Sequence, residues 1–488
     1  MEKWNSKILL ILAVAGGAIG IGNFCRFPTL FATWGGWFLV PYFASFFLLG
    51  LPLMLVEWTL GCMARDTDSH SLPTFLEKYF RNKSFKYLGF MAVACCLIIA
   101  GYYIIIESWM LGYSIISTGL FQKIPKDGMD VFFGNYITLN AGLDLKIIAI
   151  AAVIISVYLN FYFVIKGISK GVGTLIKYSM PLLLIMSLIM VIKVLLTPNI
   201  LEGIKFMFRG DMHNLLNYQM WLDAAGQMFF SLSVGFSCTM VYVSFSKNEV
   251  NIFKDGMTSA FMNMGIEVLL ASFMTIPISY IIFGDKIKEV IANSTIAFGM
   301  ISMPAVFQNN IWCFIWFFLL FVAALTSSVS MVQVFISFLS DKFRINKLVS
   351  GFISIVPFMF VLVSAFYISK GIDIFDFWTN TVLMPIGALF FIVLCHFLGK
   401  NFEKTFNENS KKPLNSFLKI TIKYITPIYL IVATFPPMIK NLGQMFKQEG
   451  FLSRDWNVWM VRAIIIVIFA LTIFAIGKKN IKNKETGE

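Results

Sequence analysis

The sequence predicts an all-α membrane protein with about twelve membrane-spanning helices, forming a single domain over residues 1–488. Two observations lead to this fold class. Hydrophobic residues make up 58% of the 488-residue chain and charged residues only 13%, which is far more apolar than a soluble domain. Uncharged runs of about twenty residues, the length that crosses the hydrocarbon core, also recur along the whole chain. No sizeable soluble domain is left over.

The predicted spans follow one another closely. The first apolar run has no small-residue cleavage site and leads straight into the next span, so we interpret it as a retained helix. Two outer connections are long, 197–219 and 284–310, and apolar stretches in the second predict short helices over the outer mouth. The spans are 8–32, 36–62, 86–118, 146–165, 172–194, 219–246, 256–284, 311–340, 347–367, 373–398, 418–440 and 457–477.

The basic residues indicate the orientation of the chain. The net charge is +13, but Lys and Arg lie in short loops between spans, so nucleic acid is not an expected partner. Cytoplasmic loops carry an excess of Lys and Arg, which places both termini in the cytoplasm. Richness in Phe, Ile, Lys and Asn favours a bacterial source, hence the bacterial inner (plasma) membrane. The residues predicted to be cytoplasmic include Arg65, Arg81, Lys83, Lys166, Lys170, Lys342, Arg344, Lys411, Lys412, Lys478, Lys479, Lys482 and Lys484.

The seven cysteines and three histidines predict no metal centre, cofactor or enzyme. All cysteines lie in or beside apolar runs without metal-ligand spacing, so we expect small buried core residues. The histidines are scattered singly, and no motif joins a nucleophile, a base and an orienting group. The chain is therefore not expected to be an enzyme.

Two spans are poor candidates for continuous helices. The first has four glycines within seven positions, 16–22, and the sixth contains Ser231-Leu-Ser-Val-Gly-Phe-Ser237. They lie five spans apart, which is the pattern of an inverted-repeat transporter with discontinuous helices. The repeats would cover about 8–194 and 219–398, followed by two extra helices at about 418–477. The alternative is that the glycines only allow close helix packing.

Polar residues near these breaks predict a cation site. An unwound turn in the membrane frees backbone groups that bound ions or a zwitterion can satisfy. Sodium prefers hard oxygen ligands. A single Ser or Thr usually bonds to its own helix, but these residues cluster on four spans. They are Asn23, Ser231, Ser233, Asn263, Thr326, Ser327 and Ser328.

Five of the charged residues within or close to the apolar runs are candidates for a functional role. Arg26 and Asp376 are expected near the outer mouth, either as a gate pair or as a static interfacial ion pair. Glu57, Glu107 and Glu267 lie deeper, and we expect each to accept hydrogen bonds from unwound backbone or to titrate.

Four motifs resemble the neurotransmitter:sodium symporter family, particularly its bacterial amino-acid transporters. The resemblance covers almost the whole chain in order, and it implies the LeuT fold, a 5+5 inverted repeat with helices 1 and 6 broken. It also implies symport of an amino acid with two Na+ ions. The motifs are GGAIGIGNFCRFP (16–28), GISKG (167–171), GQMFFSLSVGF (226–236) and LTSS (325–328).

The resemblance implies a set of site residues. Sodium site 1 would use Ala18, Asn23, Ser231, Asn263 and the substrate carboxylate, and sodium site 2 would use Gly16, Ile19, Ala323, Thr326 and Ser327. The outer gate would comprise Arg26, Asp376 and Gln227, and the inner gate Trp4 and Asp341. The substrate would contact Gly17, Gly20, Gly22, Ile99, Tyr103, Phe230, Ser233, Phe236, Ser327 and Met331.

Five positions narrow the expected function. Gly20 stands where relatives that carry monoamines have an aspartate, so the substrate should bring its own carboxylate. Glu267 stands where chloride-dependent relatives have a small hydroxyl residue, so chloride should not be required. Gly17 replaces the asparagine of the family's leucine-type pocket, and Ile99 and Met331 replace smaller or stiffer aliphatic residues, so the expected pocket is apolar but differs in shape. The flexible Met331 side chain can adapt to different substrate side chains. We therefore expect a neutral, hydrophobic amino acid.

The inner gate departs from the family pattern. Met1 stands at the position of the arginine that pairs with the aspartate matched by Asp341, and Phe245 replaces a tyrosine. Lys3 or the free amino terminus is a candidate substitute for the missing cation.

Other functions remain open from sequence alone. A proton-coupled amino-acid carrier of the same fold is one alternative, although such a protein would more often place a Lys in the second ion site. A non-transporting amino-acid sensor is another, although the tail after Ile476 is short for an output domain. A monomer and a homodimer are equally compatible with the sequence.

Overall fold

Helices dominate the computed structural model, which describes residues 2–119, 128–247, 250–292, 298–307, 309–368, 370–411, 413–433 and 456–478. No β-strand occurs within these ranges. The predicted cytoplasmic lysines Lys412, Lys479, Lys482 and Lys484 lie outside the described residues. Met1 and the last part of the predicted span 418–440, after residue 433, also lie outside them.

Ten helices in the described chain are long and apolar enough to cross a membrane, and a bent pair adds an eleventh span. The bent pair is α1 and α2, whose segments are inclined by 56°. In chain order the helices are α1 (Lys7–Ala18), α2 (Gly22–Trp34), α3 (Gly36–Asp66), α4 (Leu72–Tyr79), α5 (Phe85–Ser117), α6 (Met129–Ile137), α7 (Leu143–Ile165), α8 (Ile168–Leu195), α9 (Ile200–Phe208), α10 (Tyr218–Leu232), α11 (Cys238–Ser244), α12 (Ile252–Phe283), α13 (Ile287–Ala292), α14 (Phe298–Phe307), α15 (Asn310–Phe343), α16 (Lys347–Tyr367), α17 (Gly371–Ser410), α18 (Ser416–Ala433) and α19 (Trp456–Gly477).

The sixth predicted span is broken as well. Its two halves are α10 and α11, and residues 233–237 between them are not helical. Each half is shorter than the membrane thickness requires, so both are needed to complete one crossing. Both predicted helix breaks are therefore confirmed, and with this broken span the structure matches the predicted number of spans.

The connections differ in part from the prediction. The short helices expected between residues 284 and 310 are present as α13 and α14, but α9 in the preceding long connection was not expected. The tenth span was predicted to end near residue 398, where α17 bends sharply before it continues to Ser410. Gly399 has φ 49° and ψ −119°, so the apolar run ends at a kink and a more polar helix follows it.

Packing places both breaks at the centre of the molecule. Helix α15 packs along α5, α11 packs against α3, and α1 contacts α8, α12 and α15. Large apolar side chains are exposed on the outer helices, as expected of a surface that faces lipid; examples are Ile154, Ile185, Val356, Phe397 and Phe474. All seven cysteines are buried and free, as predicted.

Candidate functional site

The first break frees backbone amides that nearby side chains satisfy. Helix α1 ends at Ala18, and Ile19 is extended, with φ −74° and ψ 104°. The amide of Gly20 donates to Asn23 Oδ1 at 2.9 Å, and the amide of Ile21 donates to the Tyr103 hydroxyl at 3.3 Å. These are amides that a continuous helix would have paired internally. The break is thus held open by polar side chains.

The second break is shaped by a glycine and a buried carboxylate. Gly235 has φ 103°, and a Cβ there would lie 2.8 Å from the Met384 carbonyl oxygen, so only glycine fits. Its amide donates to a Glu57 carboxylate oxygen at 2.7 Å. The expectation that a deep carboxylate accepts hydrogen bonds from unwound backbone is confirmed for Glu57. The two breaks also touch, because Ser233 Oγ donates to the Gly17 carbonyl at 3.1 Å.

Three side chains predicted for the first sodium site lie together. Asn23 Nδ2 donates to Asn263 Oδ1 at 2.9 Å, and Asn263 Nδ2 donates to Ser231 Oγ at 2.5 Å. All three residues are buried. The fourth predicted residue, Ala18, ends α1 and lines the adjoining cavity. Neutral oxygens from α2, α10 and α12 therefore converge beside the first break.

Glu267 is part of the same network. Its carboxylate accepts hydrogen bonds from Ser231 Oγ at 2.7 Å, from the Tyr42 hydroxyl at 2.8 Å and from Gln227 Nε2. Gln227 Oε1 in turn accepts from Arg26 Nη1 at 2.7 Å. A continuous chain of hydrogen bonds thus links the guanidinium of Arg26 to the residues predicted for sodium site 1. A carboxylate at this point can balance the charge of a nearby cation.

The residues predicted for the second sodium site lie between α1 and α15. Ser327 Oγ bonds to the carbonyls of Ile19, at 3.2 Å, and Ala323, at 3.3 Å, while Thr326 Oγ1 donates to the Ala323 carbonyl at 3.0 Å. Thr326 therefore bonds within its own helix, whereas Ser327 also reaches the first break. Gly16 lies one turn earlier, where a Cβ would be 2.8 Å from Met180 Sδ.

A cavity of about 300 Å³ lies between the two breaks. It is mainly apolar, and it extends from the broken segments toward Asp376. Nine of the ten residues predicted to contact the substrate line it: Gly20, Gly22, Ile99, Tyr103, Phe230, Ser233, Phe236, Ser327 and Met331. The sequence thus identified most of the cavity wall.

Gly17 is the exception among the predicted substrate contacts. It does not line the cavity, because its Cα faces α15 and α11: a Cβ there would lie 3.2 Å from Ser330 Cβ and 3.7 Å from the Tyr242 ring. Gly20 does face the cavity, and a Cβ on it would lie 3.0 Å from both Ser327 Oγ and the Tyr103 hydroxyl. The absence of a side chain at Gly20 leaves the backbone accessible to a ligand.

Two of the three predicted outer-gate residues, Arg26 and Asp376, line the same cavity without forming an ion pair. Arg26 bonds to Gln227 and stacks on the Phe230 ring, with Cζ 4.3 Å from the ring centroid. Asp376 instead accepts hydrogen bonds from the Tyr102 hydroxyl at 2.8 Å and from Asn380 Nδ2 at 2.5 Å. The interpretation of Arg26 and Asp376 as a static ion pair is therefore wrong for this structure, because each has other partners.

The two predicted inner-gate residues are connected only indirectly. Trp4 Nε1 donates to the Tyr242 carbonyl at 2.8 Å, and the Trp4 amide donates to the Phe245 carbonyl at 3.1 Å. Asp341 accepts from the His70 amide at 2.6 Å and from Thr74 Oγ1 at 2.9 Å. The His70 ring stacks on Phe245, so these two groups of contacts meet there.

Sequence reasoning missed several partners that hold the site residues. Tyr42 binds Glu267, Tyr102 and Asn380 hold Asp376, and Asn160 donates to Glu107, whose carboxylate also accepts from Ser328 Oγ at 2.6 Å. A polar side chain in an apolar run is the only sequence signal for such residues. Their partners become clear only when the helices are packed together.

Comparison with known proteins places this arrangement in a family. The model of the sodium:neurotransmitter symporter family matches residues 1–134 and 132–481. An uncharacterized sodium-dependent transporter from Methanocaldococcus jannaschii is 28% identical over 460 residues, covering 89% of this chain and 90% of the relative. A rat protein named sodium-dependent neutral amino acid transporter B(0)AT3 is 30% identical over 290 residues, covering 54% of this chain and 45% of the relative.

A solved structure agrees with the fold. The crystal structure of MhsT in complex with L-phenylalanine superposes with a TM-score of 0.75 and covers 89% of this chain and 99% of that one, at 24% sequence identity. MhsT has the LeuT fold, so the predicted fold is confirmed. The family consists of secondary transporters and not of enzymes, in agreement with the prediction. With the family model matching nearly the whole length, this membrane protein belongs to the sodium:neurotransmitter symporter family.

Proposed function

We propose that this protein imports neutral hydrophobic amino acids together with two sodium ions, by alternating access and without chloride. Its location would be the bacterial inner membrane, with both termini in the cytoplasm, as a monomer or homodimer. One observation carries the proposal: Gly20 lines the cavity, and its amide bonds to Asn23, which belongs to the first ion site. A substrate carboxylate at the Gly20 backbone would therefore lie beside a sodium ion held by Asn23, Ser231 and Asn263.

The residues of the cavity wall favour a substrate with a neutral side chain. Ile99, Phe236 and Met331 provide apolar surface around the space between the breaks, and Ser233 and Tyr103 supply hydroxyls near the backbone of the first break. An uncompensated charge in such a wall would be costly to desolvate. The names of two similar proteins point the same way, since one is a neutral amino acid transporter and the other was solved with L-phenylalanine.

Glu267 supports independence from chloride. Its carboxylate already supplies a negative charge at the centre of the network, where it bonds to Tyr42, Gln227 and Ser231. A second anion at the same place would be repelled by this carboxylate. The fixed carboxylate would therefore do what chloride does in chloride-dependent relatives.

The geometry suggests how sodium and substrate are coupled. The substrate carboxylate would be one of the ligands of the first sodium ion, and the sodium ion would balance the charge of that carboxylate. Sodium and substrate would therefore raise each other's affinity by the same factor. Arg26 and Asp376 would then approach each other above Tyr103 and Phe236 to close the outer path. The broken helices with α3 and α12 would rock against the remaining helices to open the inner path.

The test is the thermal stability of the purified protein against all twenty amino acids, in sodium and in potassium salts. A ligand stabilises the folded state by mass action, so a few hydrophobic amino acids should raise the Tm in sodium only. Repeating the scan with gluconate in place of chloride should leave the shifts unchanged. Equal shifts in sodium and potassium would contradict sodium coupling, and sodium-independent shifts that grow at acidic pH would favour the proton-coupled alternative.

A further inference from the structure

Glu2 connects the segment before α1 to two other parts of the chain, the starts of α8 and α16. Its carboxylate accepts a hydrogen bond from the Ser169 amide at 3.0 Å and forms an ion pair with Lys347 Nζ. Ser169 lies at the start of α8, and Lys347 is the first residue of α16. The Glu2 and Lys347 side chains are only 30% and 20% exposed. A hydrogen-bonded ion pair at this degree of burial holds its partners more firmly than a fully exposed pair.

Lys347 also contacts the residue that replaces the family's tyrosine. Its ammonium lies 4.9 Å from the centroid of the Phe245 ring, and the same ring stacks on His70 at 3.9 Å with an interplanar angle of 9°. A cation at this distance is attracted by the ring. Phe245 has no hydroxyl to offer, but it provides an aromatic surface between Lys347 and His70. Its carbonyl accepts the Trp4 amide, so the N-terminal segment is anchored here twice.

Asp341 does not need a cation from the N-terminus in this arrangement. The His70 amide and Thr74 Oγ1 already donate to its Oδ2. The cation that pairs with the N-terminal segment is instead Lys347, which α16 supplies. Burial alone raises the pKa of the Glu2 carboxyl, but the Lys347 ammonium and the amides of Ser169 and Ile168 outweigh it, so this pKa is lower than usual.

We propose that the ion pair between Glu2 and Lys347, together with Phe245, is the latch that closes the inner path of this transporter. The inference rests on the proposed function, since it takes this face to be the cytoplasmic one. The latch joins the N-terminus of the first broken helix to α8 and α16. It must therefore break when α1 tilts away to release substrate. Lys347 is a positioning residue, because it acts on the helix and not on the substrate.

Labelling of a cysteine beneath the N-terminal segment tests the latch. Ser246 is 1% exposed and lines a small cavity with Trp4 and Leu10, so Ser246→Cys is a nearly isosteric probe. The seven native cysteines are buried, and the protein without the probe gives the background rate. Modification by a bulky hydrophilic maleimide in detergent with sodium measures the fraction of time for which the segment is detached.

Glu2→Gln and Lys347→Gln should each raise the labelling rate, by about five- to tenfold, because both remove a half-buried charge pair. The double variant should be no faster than either single variant, since the partners act through one interaction. Lys347→Arg should keep the slow rate. The matched control is the more exposed pair Glu403–Lys419, 2.7 Å apart, for which Glu403→Gln and Lys419→Gln should not change labelling.

Unchanged labelling in both single variants, or additive effects in the double variant, would overturn the latch. The thermal shift produced by a hydrophobic amino acid in sodium is recorded on the same samples. A latch that fails while this shift remains specific for sodium leaves the proposed function intact. Faster labelling without any sodium-specific shift supports the latch and contradicts the proposed function.

Discussion

Asn23 and Asn263 are joined side chain to side chain across 2.9 Å, from the first broken helix to α12. Asn23 also accepts the Gly20 amide at the cavity wall, and Asn263 also donates to Ser231 on the second broken helix. Two asparagines thus connect both breaks to the cavity. The proposed sodium site 1 is thus joined by hydrogen bonds to the cavity proposed for the substrate, and the predictions below test the parts of that coupling.

Ser231→Ala should weaken sodium binding. Ser231 Oγ accepts from Asn263 and donates to Glu267, so its removal leaves both partners short of a hydrogen bond. A hydrogen bond to a charged group contributes about 1.5–3 kcal/mol, so the sodium concentration for half of the thermal shift should rise about tenfold or more. Ser114→Ala is the control, since Ser114 is equally buried but bonds only to the Leu111 carbonyl. A Ser231→Ala titration that overlays the parent curve would contradict this role.

Glu267→Ser should create a requirement for chloride. The variant lacks the carboxylate, so the hydrogen-bond donors of Tyr42, Gln227 and Ser231 lose their acceptor. A bound chloride ion could accept these hydrogen bonds instead. We expect weak sodium-dependent binding in gluconate and recovery in chloride, measured by thermal shift in both salts. Glu107→Gln, which changes a different buried carboxylate, should not become sensitive to chloride. Identical behaviour of Glu267→Ser in the two salts would argue against an anion-replacing role.

Met331→Ala should shift substrate preference toward larger side chains. Met331 lines the cavity, and its truncation enlarges the space without adding a polar group. Bulky aromatic amino acids should gain thermal shift relative to small aliphatic ones, when each shift is measured against the ligand-free variant. Met190→Ala is the control, because Met190 is fully buried on α8 outside the cavity. The account of the cavity fails here if the ranking of amino acids is the same in Met331→Ala and the parent.

Acidification should destabilise the inner face through His70. Burial is the main cause that lowers the pKa of the His70 imidazole to about 4. The charge of Asp68 raises this pKa, and the charges of Lys347 and Lys78 lower it. In the unfolded chain the His70 imidazole takes up a proton below about pH 6.5, whereas in the folded protein it does so only near pH 4. The folded state is therefore destabilised relative to the unfolded state as the pH falls from about 6.5 to about 4. His70→Gln should reduce the drop in Tm between about pH 7.5 and about pH 5.

His213→Gln provides the control for this experiment, because His213 is exposed. It should leave the drop in Tm unchanged. An equal drop in the parent and in His70→Gln would show that other groups cause the acid sensitivity.

The sequence was most informative where local chemistry differs from ordinary membrane helix. The glycines of the first break and the Ser-Gly-Ser pattern of the second identified both breaks, and most of the cavity wall followed from the family resemblance. Gly17 does not line the cavity, because each residue along a helix is rotated by about 100° from the last and this position faces α15 and α11.

Contacts between distant segments were beyond sequence reasoning. Tyr42 and Glu267 are 225 residues apart, and Glu2 and Lys347 are 345 residues apart. Each pairing depends on how helices pack, and nothing in the local sequence distinguishes Lys347 from other lysines near the ends of spans. The same limitation explains why Arg26 was expected to pair with Asp376, although Gln227 was also placed at the outer gate.

The most direct test of the central claim is uptake of a hydrophobic amino acid, chosen from the thermal scan, into proteoliposomes. The vesicles receive an inward sodium gradient with gluconate as the only anion. We predict accumulation above the external concentration, which stops when choline replaces sodium or when Asn23 is changed to alanine. Uptake that is equal in sodium and choline, or that requires chloride, would contradict the account.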